Sequence, residues 1–133
     1  MGLSNRDRQV LQKIVDHCDI IAHTIDLTKY LRDIGAEDVW SSSLIGNISQ
    51  IGELAKQQLS NETKQRLSTI PWNDIARTRD RFVHHYSSIS TETLEEIAKV
   101  DVPSVKHEIL KFLKREDSAS AVKSLNLFGN KGT

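Results

Sequence analysis

The sequence predicts an all-α protein, an up-and-down bundle of four main helices with one extra short helix. Three observations carry this. Apolar residues recur at helical spacing in several long segments, no stretch of useful length alternates apolar with polar residues, and no hairpin signal separates two strand-like runs.

The first helix opens at Ser4, whose pairing with Asp7 reads as a capping box. Its stripe is Val10, Ile14, Ile21 and Ile25, widened by Leu11, Val15 and Leu31, and Gly35 marks its stop. His17 and His23 lie on this helix but on different faces, a spacing that suits neither an i,i+4 metal pair nor a dyad, so both read as surface or boundary residues. The second helix spans about Val39 to Leu59 on the period of Leu44, Ile48, Ile51 and Ala55, flanked by Ile45, Gly52 and Leu59. Gly46 and Gly52 inside a helix cost roughly 1 kcal/mol each relative to alanine, and close helix packing would account for them. Glu53 sits near the stripe and reads as a solvated edge, with pairing to a basic group such as Arg79 as the alternative.

Ser60-Asn61-Glu62 caps a short polar helix ending near Thr69, and Pro71 fits the first position of the next helix. Ser87, Ser88 and Ser90 break that helix, and Ser90 or Thr91 caps the last one. The final stripe is Leu94, Ile97, Ala98, Val102, Val105, Ile109 and Phe112; it keeps phase across Pro103, which predicts a kink rather than a break. His107 reads as a surface residue. The helical domain is expected over residues 1–115. From Glu116 to residue 133 the composition turns small and polar and reads as a disordered tail, with Leu125-Asn126-Leu127-Phe128 as frayed chain rather than a docking patch.

A chain of 133 residues is one domain, long enough to bury a real core. Lys plus Arg and Asp plus Glu are equal at 18 each, so no global field draws nucleic acid, and any RNA contact has to be local. The single cysteine, Cys18, fits a reducing compartment. No apolar run approaches the roughly 20 residues of a membrane span. The first residues lack the apolar stretch of a signal peptide, and Arg6 stands where a myristoylation signal has Ser or Thr. A soluble cytoplasmic protein with no membrane contact is the expectation. No glycine-rich loop follows a strand, and there is no His-Glu-x-x-His, cysteine cluster or usefully spaced carboxylate pair, so no cofactor and no metal are expected. The Asn47 and Asn61 sequons carry no meaning in the cytoplasm.

One stretch stands apart: Arg79-Asp80-Arg81-Phe82-Val83-His84-His85-Tyr86. At about 100° per residue, Trp72, Ile75, Ala76, Phe82, Val83 and Tyr86 all fall within about 60° of Arg79, so the apolar stripe is centred on a guanidinium. A charge so placed has to be paired or to serve a purpose. Asp80 and His84 lie one turn apart, where the carboxylate can orient the imidazole. These groups suit phosphodiester cleavage without a metal. A histidine exchanges protons with a ribose 2′-hydroxyl or the leaving oxygen, an arginine fork holds charge on the phosphorus oxygens, and the tyrosine can position phosphate. Arg79 and His84, however, point about 140° apart on a straight helix. A distorted helix or a two-fold copy of this helix would bring them together. An arginine buried at a bundle interface with incidental histidines fits the same residues equally.

The spacing Arg79, four residues, His84, one residue, Tyr86 resembles the Arg-x4-His-x-Tyr motif of HepT-like toxins, a branch of the HEPN ribonuclease superfamily. Ile51-Gly52-Glu53-Leu54-Ala55-Lys56, Leu59-Ser60, Ile70-Pro71-Trp72 and Val102-Pro103 look like that family's pattern in the same order, over roughly residues 5 to 114. The resemblance implies a helical homodimer whose two motif copies line one cleft and cut RNA without metal. Arg79 and His84 would be catalytic, Asp80 supporting, and His85, Arg81 and Arg77 the further candidates for substrate contact. It also implies a toxin of a type II/VII-like pair, whose partner is an MNT-type nucleotidyltransferase antitoxin that attaches AMP to Tyr86. Two departures stand out: Asp80 replaces the branch's usual asparagine, and Ser87-Ser88-Ile89 replaces an aromatic-glycine pair. Other classes compatible with the residues are a non-catalytic nucleotide- or RNA-binding module, a scaffold partner of a nucleotidyltransferase, and a neutralising subunit.

Overall fold

The computed structural model describes residues 2–131, with side chains described as far as Val122. Among them there is no strand. The elements are α1 (Asn5–Asp26), α2 (Thr28–Asp33), α3 (Glu37–Gln57), α4 (Asn61–Arg66), α5 (Trp72–His84), a 3₁₀ turn (Tyr86–Ser88), α6 (Thr91–Glu96), a π turn (Ile97–Asp101) and α7 (Val102–Lys131). The predicted all-α bundle is the architecture observed. α1 packs against both α3 and α7, whereas α5 packs on α3.

The predicted stripes form the core. Val10, Leu11, Ile14 and Ile21 of α1 meet Leu44, Ile48, Ile51 and Ala55 of α3, and Leu94, Ala98, Val102, Val105, Ile109 and Phe112 of the last segment. Cys18 lies within this core, and burial first, then Asp19, pushes its thiol up to about 12, so it packs as an inert apolar group.

Local chemistry sets the boundaries. Thr28 donates its hydroxyl to the Ile25 carbonyl at 2.7 Å, competing with the helix ladder, and the expected single first helix divides at Leu27 into α1 and α2. Gly35 takes φ +72° and stops α2, as its position predicts. Ser60 and Ser90 cap α4 and α6 by accepting from the amides of Thr63 and Thr93. Pro103 has no N–H, and the helix ahead of it widens: the Val102 amide donates to Ile97 O, five residues back. The proline therefore displaces the ladder without ending it, and α6, the π turn and α7 follow one another without a break.

Two expectations change. Ser4 does cap α1, accepting from the Asp7 amide at 3.1 Å, but Asp7 does not close a capping box. Its buried carboxylate instead crosses to the start of α4, accepting from the Ser60 amide at 3.1 Å, the Ser60 hydroxyl at 2.5 Å and the Thr63 hydroxyl at 2.5 Å. The second change concerns the tail: α7 does not stop at Glu116 but continues to Lys131. Glu116 pairs with Arg66, whose guanidinium also lies 5.0 Å over the Phe112 ring, and Asp117 pairs with Arg8 at 2.8 Å. Alanines at 119 and 121 favour helix, yet Ser118–Val122 are all exposed, so the small polar composition yields an unpacked helix here. The Leu125-Asn126-Leu127-Phe128 side chains lie outside the described residues.

Burial alone would raise the Asp7 pKa, but hydrogen bonds from Ser60 and Thr63, and the nearby Arg6, outweigh it and hold the carboxyl below its ordinary value of 3.8. A depressed folded value means that the stabilisation is present above 3.8 and is lost as the pH falls through the folded value. Asp7→Ala leaves the buried Thr63 hydroxyl and the amide and hydroxyl of Ser60 without their acceptor and is expected to cost about 1–3 kcal/mol in urea unfolding at neutral pH. The gap between wild type and variant should close below about pH 4; a variant as stable as wild type at neutral pH would show that α1 and α4 are not joined through this carboxylate.

Candidate functional site

α5 carries the site and is anchored near both ends. At its start the Trp72 indole donates to the carbonyls of Lys64 and Leu67, each at 3.1 Å, tying it to α4 and the following turn. Near its end Phe82 is 1% exposed and seated in the core. Between them α5 lies directly on α3 at Gly52. A Cβ added at Gly52 would sit 2.4 Å from Arg79 Cβ and 2.8 Å from its Cγ, so the missing side chain permits the contact. Close packing thus accounts for Gly52. It does not account for Gly46, which has nothing within 4 Å and for which the structure offers no reason.

Starting from that contact, the Arg79 side chain runs between two carboxylates. Nη2 lies 2.7 Å from Glu53 Oε2 on α3, and Nη1 donates to Asp80 Oδ1 at 3.0 Å. Lys56 Nζ stands 3.8 Å from the same Asp80 oxygen. Glu53 is therefore a partner of Arg79, not the solvated edge that its place beside the stripe suggests. The hydrogen bond from Arg79 first, then the charges of Lys56 and of Arg79 itself, hold the Asp80 carboxyl below its ordinary range. Lys56 is the member that the motif does not contain; the signal was its position one turn after Glu53, on the face of α3 that meets α5.

The Arg79-centred stripe is only partly buried. Phe82 is in the core and Trp72, Ile75 and Ala76 are half-buried, but Val83 is 51% and Tyr86 63% exposed. The reason is topological: α5 packs chiefly on α3, and the side of the stripe away from Phe82 is left open among the described residues. The helix also ends at His84. His85 caps it at φ −134°, ψ 30°, and Tyr86 opens a 3₁₀ turn in which the Ser88 amide donates to the His85 carbonyl at 3.0 Å, joined there by the Ser88 hydroxyl at 2.8 Å. Tyr86 is therefore off the helix on which its angle was counted.

His84, His85, Tyr86 and Arg81 are all exposed at this end, and Arg77 is exposed and paired with Asp74 one turn earlier. Asp80 spends its hydrogen bond on Arg79; among the described residues it makes none to His84, so the expected acid–imidazole pair is not formed. α5 stays regular from Trp72 through His84, without the distortion that could bring Arg79 and His84 together within one chain. Among the described residues no three His, Cys, Asp or Glu side chains cluster as metal ligands would, and no helix is long and apolar enough to cross a membrane.

The all-α bundle is consistent with ribonucleases of the HEPN type. The family description that matches is ribonuclease HepT-like, over residues 17–112. Among similar proteins, one of Thermococcus cleftensis named probable ribonuclease HepT is 31% identical over 105 residues, covering 74% of this chain and 94% of its own. A Methanocaldococcus jannaschii protein with an RNase name is 33% identical over 107 residues, covering 77% of this chain and 84% of its own. Another RNase-named protein, from Caldanaerobacter subterraneus subsp. tengcongensis, is 23% identical over 109 residues, with 82% and 96% covered. No solved structure matches. This chain belongs to the ribonuclease HepT-like family, and its enzyme class is ribonuclease.

The fit at Gly52 can be tested directly. Gly52→Ala gains roughly 1 kcal/mol of helix propensity, yet its methyl meets the root of the Arg79 side chain, which cannot swing aside. Separating α3 from α5 is expected to leave a net loss of about 1–3 kcal/mol in urea unfolding. Equal or greater stability would mean that the two helices do not approach this closely.

Proposed function

We propose that this chain is a metal-independent endoribonuclease toxin of a toxin–antitoxin pair, working in the cytoplasm as a homodimer. The observation that carries the proposal is Arg79 held between Glu53 and Asp80, with His84 and Tyr86 exposed at the end of the same helix. In this reading His84 takes the proton of a ribose 2′-hydroxyl. That oxygen attacks phosphorus to form a 2′,3′-cyclic phosphate, the P–O5′ bond breaks, and the leaving oxygen takes the proton back from the His84 imidazolium. Arg79 stabilises the charge that builds on the phosphorus oxygens. Asp80 supports Arg79, while His85, Arg81 and Arg77 border the path of the RNA. Residues 1–115 are the catalytic domain.

Two features support the dimer. A regular α5 sends Arg79 and His84 to different sides, and Val83 and Tyr86 form an exposed edge. A two-fold axis beside α5 would cover that edge and bring the arginine of one protomer towards the histidine of the other. The open position of Tyr86 suits its phenol to accept AMP from an MNT-type nucleotidyltransferase antitoxin, which would add charge and bulk at the cleft mouth. One observation favours a second reading: with Glu53 and Asp80 both beside Arg79, the local charge is already balanced, which suits a module that binds a nucleotide or RNA end without cutting.

The partner-free chain, incubated with labelled RNA in EDTA, separates the readings. Wild type should cleave, His84→Ala should lose roughly 10²–10⁴-fold and Arg79→Ala roughly 10²–10³-fold, with both variants folded and dimeric by light scattering. Intact RNA with Tyr86 unmodified by mass spectrometry would transfer the assignment to the binding module.

A further inference from the structure

Arg79 has two carboxylates at its guanidinium, and they differ in what they can do. Asp80 is its neighbour on α5, so that contact moves with the helix and cannot set where the guanidinium stands relative to the rest of the fold. Glu53 comes from α3 and is the contact that crosses between elements, at 2.7 Å. It follows Gly52, where the root of the Arg79 side chain is pressed against the α3 backbone. One dipeptide of α3 thus meets both the base and the tip of the arginine.

Stability by itself is a weak reason for an acid at this position. The Glu53 and Arg79 side chains are 36% and 24% exposed, so water reaches the pair and weakens it even though the contacting Oε2 is buried. Glu53 also has a cost, since a carboxylate beside the arginine repels the phosphate that the arginine is meant to bind. Its Oε2 is buried and accepts no in-line hydrogen bond among the described residues, so the charge that balances it is the adjacent Nη2. What it supplies is direction. The Nη1–Asp80 hydrogen bond commits one N–H of the guanidinium's five, while Glu53 draws Nη2 towards α3 by charge without taking an in-line hydrogen, so the remaining N–H groups stay open to a phosphate.

We propose that Glu53 is a positioning residue for the catalytic arginine, holding the Arg79 guanidinium against α3 so that it meets the scissile phosphate of RNA without reorganising. The inference rests on the ribonuclease reading of Arg79 given above. It assigns Glu53 no contact with substrate: it acts through Arg79, in the way that preorganised groups act on developing charge.

The test is Glu53→Gln and Glu53→Asp in the full chain, with the fold checked by circular dichroism. In Glu53→Gln, kcat on labelled RNA should fall about 10- to 100-fold while KM stays level or drops, because a repelling charge has gone. Glu53→Asp keeps the charge on a shorter arm and should recover part of kcat. A kcat within twofold of wild type in Glu53→Gln, or a loss confined to KM, overturns the proposal, and so does a rise in kcat, which would make Glu53 a brake. A second readout needs no activity: side-chain ¹⁵N spectra of Arg79 should show hindered guanidinium rotation in wild type and free rotation in Glu53→Gln. Free rotation in wild type sinks the clamp even if RNA is cut. A wild type that leaves RNA intact sinks the ribonuclease reading instead, and the spectra then decide the clamp by themselves.

Discussion

The structure depends on the meeting of α3 and α5 at Gly52. Without a side chain there, the Arg79 Cβ can sit where a Gly52 Cβ would have to be, and the two helices close to backbone distance. That approach places Arg79 Nη2 within 2.7 Å of Glu53 and brings Lys56 to 3.8 Å from Asp80. The result is a row of alternating charges, Glu53, Arg79, Asp80 and Lys56, with no net charge. A molecule with 18 basic and 18 acidic residues does not draw RNA by its overall field. It has to present individual groups in fixed places, and a tight helix contact does this without spending surface charge.

The rest of the bundle holds α3 still enough for that contact to matter. Polar pairs join α1 or α2 to α3: His17 to Asn47 at 2.8 Å, Thr24 to Ser43 at 2.8 Å, and the Trp40 indole to Thr28 at 2.8 Å. Because each needs its partner at one register, they specify how α3 lies against its neighbours more sharply than interchangeable aliphatic contacts could. Asp7 does the same for α4, which in turn receives Trp72 at the start of α5. A chain of directional contacts therefore runs from the N-terminus to the helix that carries the site.

α5 contrasts with that scaffold. Beyond Phe82 its last turn and the 3₁₀ turn after it leave the core, and Val83, His84, His85 and Tyr86 stand in the open. The chain places its titratable and nucleophilic groups where its own packing does not constrain them, which is where residues for binding and chemistry tend to sit. Asp80, the departure from the branch's usual asparagine, finds its physical place here: as a carboxylate it takes a charged hydrogen bond from Arg79, with Lys56 close by to offset it.

Periodicity alone determined the helical class, the core stripes, the caps at Ser4, Ser60 and Ser90 and the stop at Gly35, because those follow from contacts within a few residues along the chain. The spacing of Arg79, His84 and Tyr86 marked the candidate site, since local order along one segment is also written in the sequence. Other features needed the fold. Glu53 read as an edge, Asp7 as half of a capping box, Asp80 as the partner of His84, and Tyr86 as part of the helical stripe. Each was decided by a group distant in sequence or by where α5 leaves the core: Arg79 came to Glu53, Ser60 and Thr63 came to Asp7, and Arg79 took Asp80. Helical phase says which side of a segment a residue faces. Only the packing of one helix on another says what waits there, because a charge takes the partner that tertiary distance brings nearest.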